Sequence, residues 1–243
     1  MPVMKDEAVA LRRIDYSETS QVLLFLTRGH GPRRLLAKGI KRGTKQKFAT
    51  GIDLLEHGRV VFAVRASGES GLGNLTEWRQ IDLYTGLRSD LHRLYAAQYA
   101  AEVTAAMVEE ADPHPELFDA LVGFLKALVS GGEPLGLLAD YQATLLASTG
   151  LWPDLTRCLL CNRPAPPGRA GYFSATQGGL ICRDCINRVA EKCKVSGLVL
   201  DALRRRAFSL ESAPGAFELL DYTIAHMLGR RPGLSRFIRG QVR

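Results

Sequence analysis

Four of the five cysteines form two CxxC pairs, Cys158 with Cys161 and Cys182 with Cys185, separated by 20 residues. Each pair lets two thiolates from one turn reach the same ion, and this spacing is typical of a tetrahedral structural zinc site. Four sulfurs leave no coordination position for water, so we expect one zinc ion that folds the local chain without catalysing a reaction. An iron–sulfur cluster and a chain without metal are the alternatives. The fifth cysteine, Cys193, is expected to be a small buried residue outside the site.

The sequence offers little that resembles an active site. It contains no GxxxxGK[ST] phosphate loop, no GxSxG elbow and no HExxH metal motif. Arg157 stands before the first CxxC, where a zinc deaminase signature requires proline. We therefore predict that the protein is not an enzyme, with a metal-dependent nuclease as the enzymatic alternative.

A second feature is a basic segment without any acidic residue, between positions 33 and 47. Lysine and arginine neutralise phosphates and release counterions, which drives sequence-independent binding to nucleic acid. Tyr16 and Phe48 could stack on bases beside it. The predicted DNA-binding residues here are Arg33, Arg34, Lys38, Lys41, Arg42, Lys45 and Lys47. A second zone is predicted at Arg204, Arg205 and Arg206, and a solvated basic surface is the alternative for both.

Charge is distributed unevenly along the 243 residues. The net charge is +6 over residues 1–80, −7 over residues 81–150 and +8 over residues 151–243, for a total of +7. A basic balance favours polyanionic partners, either nucleic acid or an anionic membrane surface. The alternation predicts three regions with different surfaces, of which the acidic middle one is not expected to contact phosphates.

Residues 1–81 have the pattern of β-structure. Short apolar, β-rich runs are separated by glycine-containing turns, with hairpin signals at residues 29–32 and at Gly58, between Ile52–Glu56 and Arg59–Ala66. Five short strands favour a small barrel, and we predict the OB fold that binds nucleic acids. A β-sandwich or an SH3-like barrel is the alternative.

Beyond residue 81 the hydrophobic period becomes helical. Three amphipathic helices are expected before Gly150, and two more near Ser196–Phe208 and Gly215–Leu228. The sequence thus predicts an α+β protein with an N-terminal five-stranded OB-like barrel, an α-helical domain and an inserted four-cysteine zinc module. The predicted boundaries are 1–81 for the OB domain, 82–154 for the first helical part, 155–190 for the zinc module and 191–243 for the C-terminal helical part.

The apolar runs are too short and too often interrupted by charge for a membrane span, and the first residues lack a signal-peptide pattern. We therefore expect a cytoplasmic, nucleoid-associated protein. In that compartment thiols stay reduced, and paired cysteines indicate metal ligands rather than disulfides.

Two tracts carry a specific resemblance to a known family. The first is the N-terminal stretch around Tyr16-Ser17-Glu18-Thr19, continuing through Gly29-His30-Gly31 to Ala37-Lys38-Gly39. The second joins Thr149-Gly150-Leu151-Trp152-Pro153 and the first CxxC to Gly178-Gly179-Leu180-Ile181-Cys182. With these tracts the chain resembles the bacterial RecO family of recombination mediators over essentially its whole length. The last 50 residues or so match weakly.

The resemblance implies an N-terminal OB domain, a helical domain and an inserted zinc module. It implies a protein that binds single- and double-stranded DNA, anneals complementary strands and helps load recombinase onto DNA covered by single-strand-binding protein. RecR, RecF, RecA and single-strand-binding protein are the implied partners. Some family members lack the cysteines, so zinc is expected to be architectural. The alternative function is a zinc-containing OB-fold adaptor that acts on RNA or in transcription.

Overall fold

The computed structural model describes residues 2–40, 51–64 and 71–240. The chain divides into two compact units, Met1–Ser130 and Gly131–Arg243, and each is described by itself. Helices α1 and α2 therefore belong with the barrel. Among the described residues, no helix combines the length and the apolar character that crossing a membrane requires.

The first unit begins with five strands. They are β1 (Val3–Asp15), β2 (Gln21–Thr27), β3 (Gly31–Ala37), β4 (His57–Ala63) and β5 (Gly73–Asp82). They pair in the cyclic order β1-β2-β3-β5-β4, and β4 pairs back onto β1. All pairings are antiparallel except β3 with β5, which spans only two residue pairs, Leu35 with Gly73 and Leu36 with Asn74. The five strands thus form the partly open barrel typical of an OB fold, as predicted.

The inner face of the barrel carries its core because alternate residues of each strand point inward. Ala8, Leu23, Phe25, Leu35 and Phe62 are completely buried there. Phe25 packs against Trp78 with ring centroids 5.0 Å apart. The alternation also fixes which residues of β1 to β3 face outward.

The predicted hairpin around Gly58 is wrong. Gly58 lies within β4 and pairs with Gln80 of β5, whereas Leu54 and Leu55 form a turn before the strand. A Cβ atom at position 58 would lie 2.6 Å from Cζ2 of Trp78 and 2.7 Å from the carbonyl oxygen of Arg79. The glycine therefore makes room for a tryptophan ring and does not mark a turn.

Two helices complete the first unit, α1 (Leu91–Met107) and α2 (Pro115–Val129). Asp90 caps α1 by accepting hydrogen bonds from the backbone N–H groups of His92 and Arg93. Four buried alanines of α1 let the helix approach β1 closely. His57, at the start of β4, packs edge-on against Phe118 of α2 and so links the barrel to the helices.

The second unit contains α3 (Pro134–Ser148), α4 (Gly197–Arg205), α5 (Ala213–Met227) and α6 (Ser235–Arg239). Between α3 and α4 lies a small sheet of β6 (Gly171–Ser174), β7 (Gly179–Ile181) and β8 (Cys193–Val195), in the order β7-β6-β8. The β6–β7 hairpin was predicted, whereas β8 and α6 were not. Asp221 of α5 is completely buried and accepts hydrogen bonds from Ser235 and Arg239, which anchors the short helix α6.

Candidate metal centre and nucleic-acid interface

The two CxxC pairs lie on two turns that the small sheet brings together. Cys182 directly follows β7, so the β6–β7 hairpin positions the second pair. In the first turn, the N–H of Asn162 donates to the carbonyl of Cys158, and Asn162 has a left-handed φ of 59°. In the second turn, the N–H of Cys185 donates to the carbonyl of Cys182. Both turns therefore aim two sulfurs at one point.

The sulfur atoms of Cys158, Cys161, Cys182 and Cys185 all lie within 4.8 Å of one another. Cys161 Sγ is 3.6 Å from Cys182 Sγ. A tetrahedral zinc ion with Zn–S bonds of about 2.3 Å places its sulfurs about 3.8 Å apart. The donor set and its spacing fit such an ion, so the group predicted from the sequence could hold a metal.

The pKa values of two of the four thiols, those of Cys158 and Cys185, are shifted in opposite directions. Burial opposes ionisation of Cys158, but hydrogen bonds from backbone N–H groups, chiefly that of Cys182 and then those of Leu160 and Cys161, lower its pKa to about 6. Hydrogen bonding to Cys182, together with burial, raises the pKa of Cys185 to about 12. Four sulfurs this close cannot all ionise without a cation, and a metal ion would supply that charge.

Two further contacts support the turns and were not predicted. Arg163 follows the first pair and forms an ion pair with Asp184, which lies inside the second pair. Hydrogen bonding to Asp184 raises the pKa of Arg163, with smaller contributions from the charges of Cys182 and Cys161. Glu191 accepts hydrogen bonds from Ser174 Oγ and the Thr176 N–H, which fixes the β6–β7 turn. A charged residue beside a CxxC pair is the only sequence signal that could have revealed the first contact.

Cys193 lies in β8 opposite Phe173 and outside the four-sulfur group. It is half-buried, and burial raises the pKa of its thiol. The cysteine is therefore less buried than predicted.

The outer face of β1 to β3 carries a mixed apolar and basic surface. Arg12 of β1 pairs with Leu24 of β2, which pairs with Arg34 of β3. The next outward row consists of Ile14, Val22 and Leu36. Ile14 is 55% exposed although it is apolar. Side chains of this kind on the second and third strands form the ligand-binding face of OB folds.

A groove of about 390 Å³ lies at the end of this face. Its lining includes Tyr16, Leu36 and Lys38. Tyr16 is 69% exposed and belongs to the loop between β1 and β2, where Ser17 Oγ accepts a hydrogen bond from the N–H of Ser20 and orders the turn. An exposed aromatic ring beside a lysine is the combination that binds single-stranded nucleic acid.

The predicted basic segment is described only in part. Arg33 is half-buried, and its Nε donates to the carbonyl oxygen of His30 at 3.0 Å. Arg34 forms an ion pair with Glu110 at 2.7 Å, whereas Lys38 is exposed at the groove. The remaining predicted residues, Lys41, Arg42, Lys45 and Lys47, lie outside the described residues.

The three arginines of the second zone have different surroundings at the end of α4. Arg204 is paired with Asp201, and its Nε donates to the carbonyl oxygen of Leu155. Arg206 contacts Asp140 and Thr144. The Arg205 side chain is 74% exposed and lies 3.7 Å from Asp201. Arg205 thus presents more of its side chain to a ligand than its two neighbours do.

Comparisons with known proteins match the chain along most of its length. Residues 1–84 match the family profile described as Recombination protein O N terminal, and residues 88–233 match the profile described as Recombination protein O C terminal. The two profiles meet just before α1.

Individual relatives agree with the profiles. The chain is 33% identical to the DNA repair protein RecO of Rhodopirellula baltica over 214 residues, which are 87% of this chain and 77% of that protein. It is 32% identical to the DNA repair protein RecO of Anaeromyxobacter sp. (strain K) over 250 residues, with 98% and 96% covered. The DNA repair protein RecO of Bacillus subtilis is 32% identical over 190 residues, with 76% and 69% covered.

Proposed function

Because the chain belongs to the Recombination protein O family, we propose that it acts in DNA repair and recombination as a DNA-binding mediator that is not an enzyme. In this role it binds single- and double-stranded DNA, anneals complementary strands and helps load recombinase onto DNA covered by single-strand-binding protein. The relatives at about 30% identity bear the name DNA repair protein RecO, which supports the general role.

The observation that best supports DNA binding is the exposed barrel face with its groove. Bases can stack on Tyr16 and pack on Ile14 and Leu36, while Arg12 and Lys38 contact the phosphates. Such contacts read no base edge, so the surface would accept any sequence. Annealing requires this tolerance because both strands of a duplex must bind.

We assign zinc as the metal and give it an architectural role. Among the residues that the structure describes, the candidate site groups four cysteine sulfurs with no fifth donor, which is the ligand set of structural zinc. When bound, the ion would neutralise the thiolates and hold the two turns together. The β6–β7 hairpin and the Arg163–Asp184 ion pair would keep the two cysteine-bearing turns in position around the ion.

The proposed partners follow from the family. RecR, RecF, RecA and single-strand-binding protein are the candidates. A mediator must recognise both the DNA covered by single-strand-binding protein and the recombinase that replaces that protein. Glu109, Glu110 and Asp112 lie between α1 and α2 with no basic residue among them, and this acidic stretch gives the first unit a second kind of surface for protein contacts.

Single-stranded DNA binding by three variants tests the proposed interface. Replacing Tyr16→Ala should weaken binding of a labelled oligonucleotide by roughly fivefold or more, because stacking on one base is lost. Tyr16→Phe keeps the ring and should bind like the parent protein. Lys38→Glu should weaken binding to every sequence alike.

Lys126→Glu is the matched control for Lys38→Glu, because it makes the same charge change on an exposed lysine of α2. If both lysine variants lose the same affinity, general charge and not the barrel face governs binding. Competition with RNA of the same sequence separates the DNA mediator from an adaptor that acts on RNA.

A further inference from the structure

A concave surface of about 500 Å³ lies beside the four cysteines in the second unit. Its lining contains Tyr172 and four basic residues but no acidic one. The basic residues are Arg163, Arg169, Arg183 and Lys194. This surface, which we call the module groove, is therefore strongly positive.

One of the four cations already has a protein partner. Arg163 forms an ion pair with Asp184, and its charge also interacts with the sulfurs of Cys182 and Cys161. Within the part of the chain that the structure describes, Arg169, Arg183 and Lys194 form no ion pair, and all three are exposed. Their full charge is thus available to a ligand.

The sheet places an aromatic ring among these cations. Tyr172 of β6 lies directly opposite Lys194 of β8 and Ile181 of β7. Residues directly opposite each other in an antiparallel sheet point to the same face, with Cβ atoms about 5 Å apart. Tyr172 therefore shares one face with a lysine on one side and an apolar side chain on the other. Arg183 follows the end of β7 and extends the positive charge along the groove.

We infer that the module groove binds single-stranded nucleic acid, with phosphates on Arg169, Arg183 and Lys194 and a base against Tyr172. Stacking on an aromatic side chain between cations is how single strands are held without sequence preference. This site goes beyond the proposed function, whose DNA-binding face lies on the barrel of the first unit. It gives the four-cysteine module a ligand of its own in addition to its role in folding.

A salt series with the full metal-loaded chain tests the inference. The groove variant combines Arg169→Gln, Arg183→Gln and Lys194→Gln. The control variant combines Arg188→Gln, Arg231→Gln and Arg236→Gln, which remove the same charge from exposed arginines outside the groove. The probe is fluorescein-labelled oligothymidylate. Loss of three phosphate contacts should make the slope of log affinity against log salt shallower by about two units in the groove variant. The control variant should keep the parent slope.

Tyr172 gives a second, independent measurement. Tyr172→Ala should weaken oligothymidylate binding by roughly fivefold or more, whereas Tyr172→Phe should restore it. If the Tyr172→Ala variant loses its metal, photo-crosslinking of the parent protein is measured in place of the variant's affinity. An oligonucleotide carrying 5-iodouracil should then crosslink to Tyr172. Equal salt slopes for the groove and control variants, or crosslinks that never map to the module, would overturn the inference. So would a groove variant that loses binding only to an acidic peptide. Tyr16→Ala reports on the barrel face separately, so failure of one site is distinguishable from failure of the other.

Discussion

Arg34 of β3 donates two hydrogen bonds to the same carboxylate oxygen of Glu110, from Nε at 3.1 Å and from a terminal nitrogen at 2.7 Å. Hydrogen bonding to Glu110 is the main cause of the raised pKa of Arg34. A cation of the predicted DNA-binding segment is thus held by an acid of the negatively charged middle region. In the proposed interface, Glu110 competes with phosphate for Arg34.

Glu110→Gln should therefore strengthen single-stranded DNA binding. The guanidinium would be released to phosphate, and the salt slope should steepen by up to about 0.7 units for one added contact. Glu109→Gln removes the same charge from the exposed neighbouring residue and is the control. Fluorescence anisotropy across a salt series measures both variants. Equal behaviour of the two would show that Arg34 does not gain a phosphate contact.

Metal removal should unfold the cysteine module and leave the barrel folded. We expect one zinc per chain in protein purified without chelator, and Cys158→Ser should abolish stoichiometric binding because ligand loss and local unfolding are linked. Cys193→Ser should retain the metal, since that sulfur lies outside the group. Elemental analysis with amide hydrogen exchange of the β6–β7 hairpin measures both effects. Zinc retained in Cys158→Ser would contradict the assignment.

Gly58→Ala should destabilise the first unit by about 1–3 kcal/mol, because the added methyl group meets Trp78 and a backbone carbonyl inside a packed barrel. Gly123→Ala is the matched change on exposed α2, where the new Cβ meets no atom within 4 Å. It should stabilise by about 0.5–1 kcal/mol through helix propensity. Urea denaturation compares the two variants. A neutral Gly58→Ala would mean that the ring shifts at little cost.

Burial raises the pKa of Glu56, which precedes β4. The folded chain then binds this proton more tightly than the unfolded chain, so folding stability falls as pH rises from the ordinary glutamate value through the raised one. Glu56→Gln has no carboxyl group to ionise at this position, so the variant does not lose folding stability in this way as pH rises. Its unfolding free energy relative to the parent should be higher at pH 7 than at pH 4. Urea denaturation of the variant and the parent at the two pH values measures this difference, and a difference in unfolding free energy that is the same at pH 4 and pH 7 would contradict the prediction.

The cysteine spacing and the strand pattern predicted the four-cysteine group and the barrel because both are local signals. The spacing of two CxxC pairs limits the geometry of four sulfurs, and period-two alternation identifies inward residues. Contacts between distant residues were not predictable in this way. Gly58 has the same sequence signature whether it forms a turn or makes room for Trp78. Likewise, the pairing of Arg34 with Glu110 depends on a tertiary approach across 76 positions.

Strand annealing without nucleotide tests the central proposal most directly. The basic segment of the barrel and the second basic zone, at Arg204, Arg205 and Arg206, would capture strands through counterion release. Base pairing would then supply the driving force, with stacking of roughly 1.4 kcal/mol per step. Energy transfer between complementary labelled oligonucleotides measures the rate across a salt series with no ATP present. We predict annealing faster than that of the oligonucleotides alone, fading as salt rises. An absolute requirement for ATP, or a rate at low salt no faster than without the protein, would contradict the proposal.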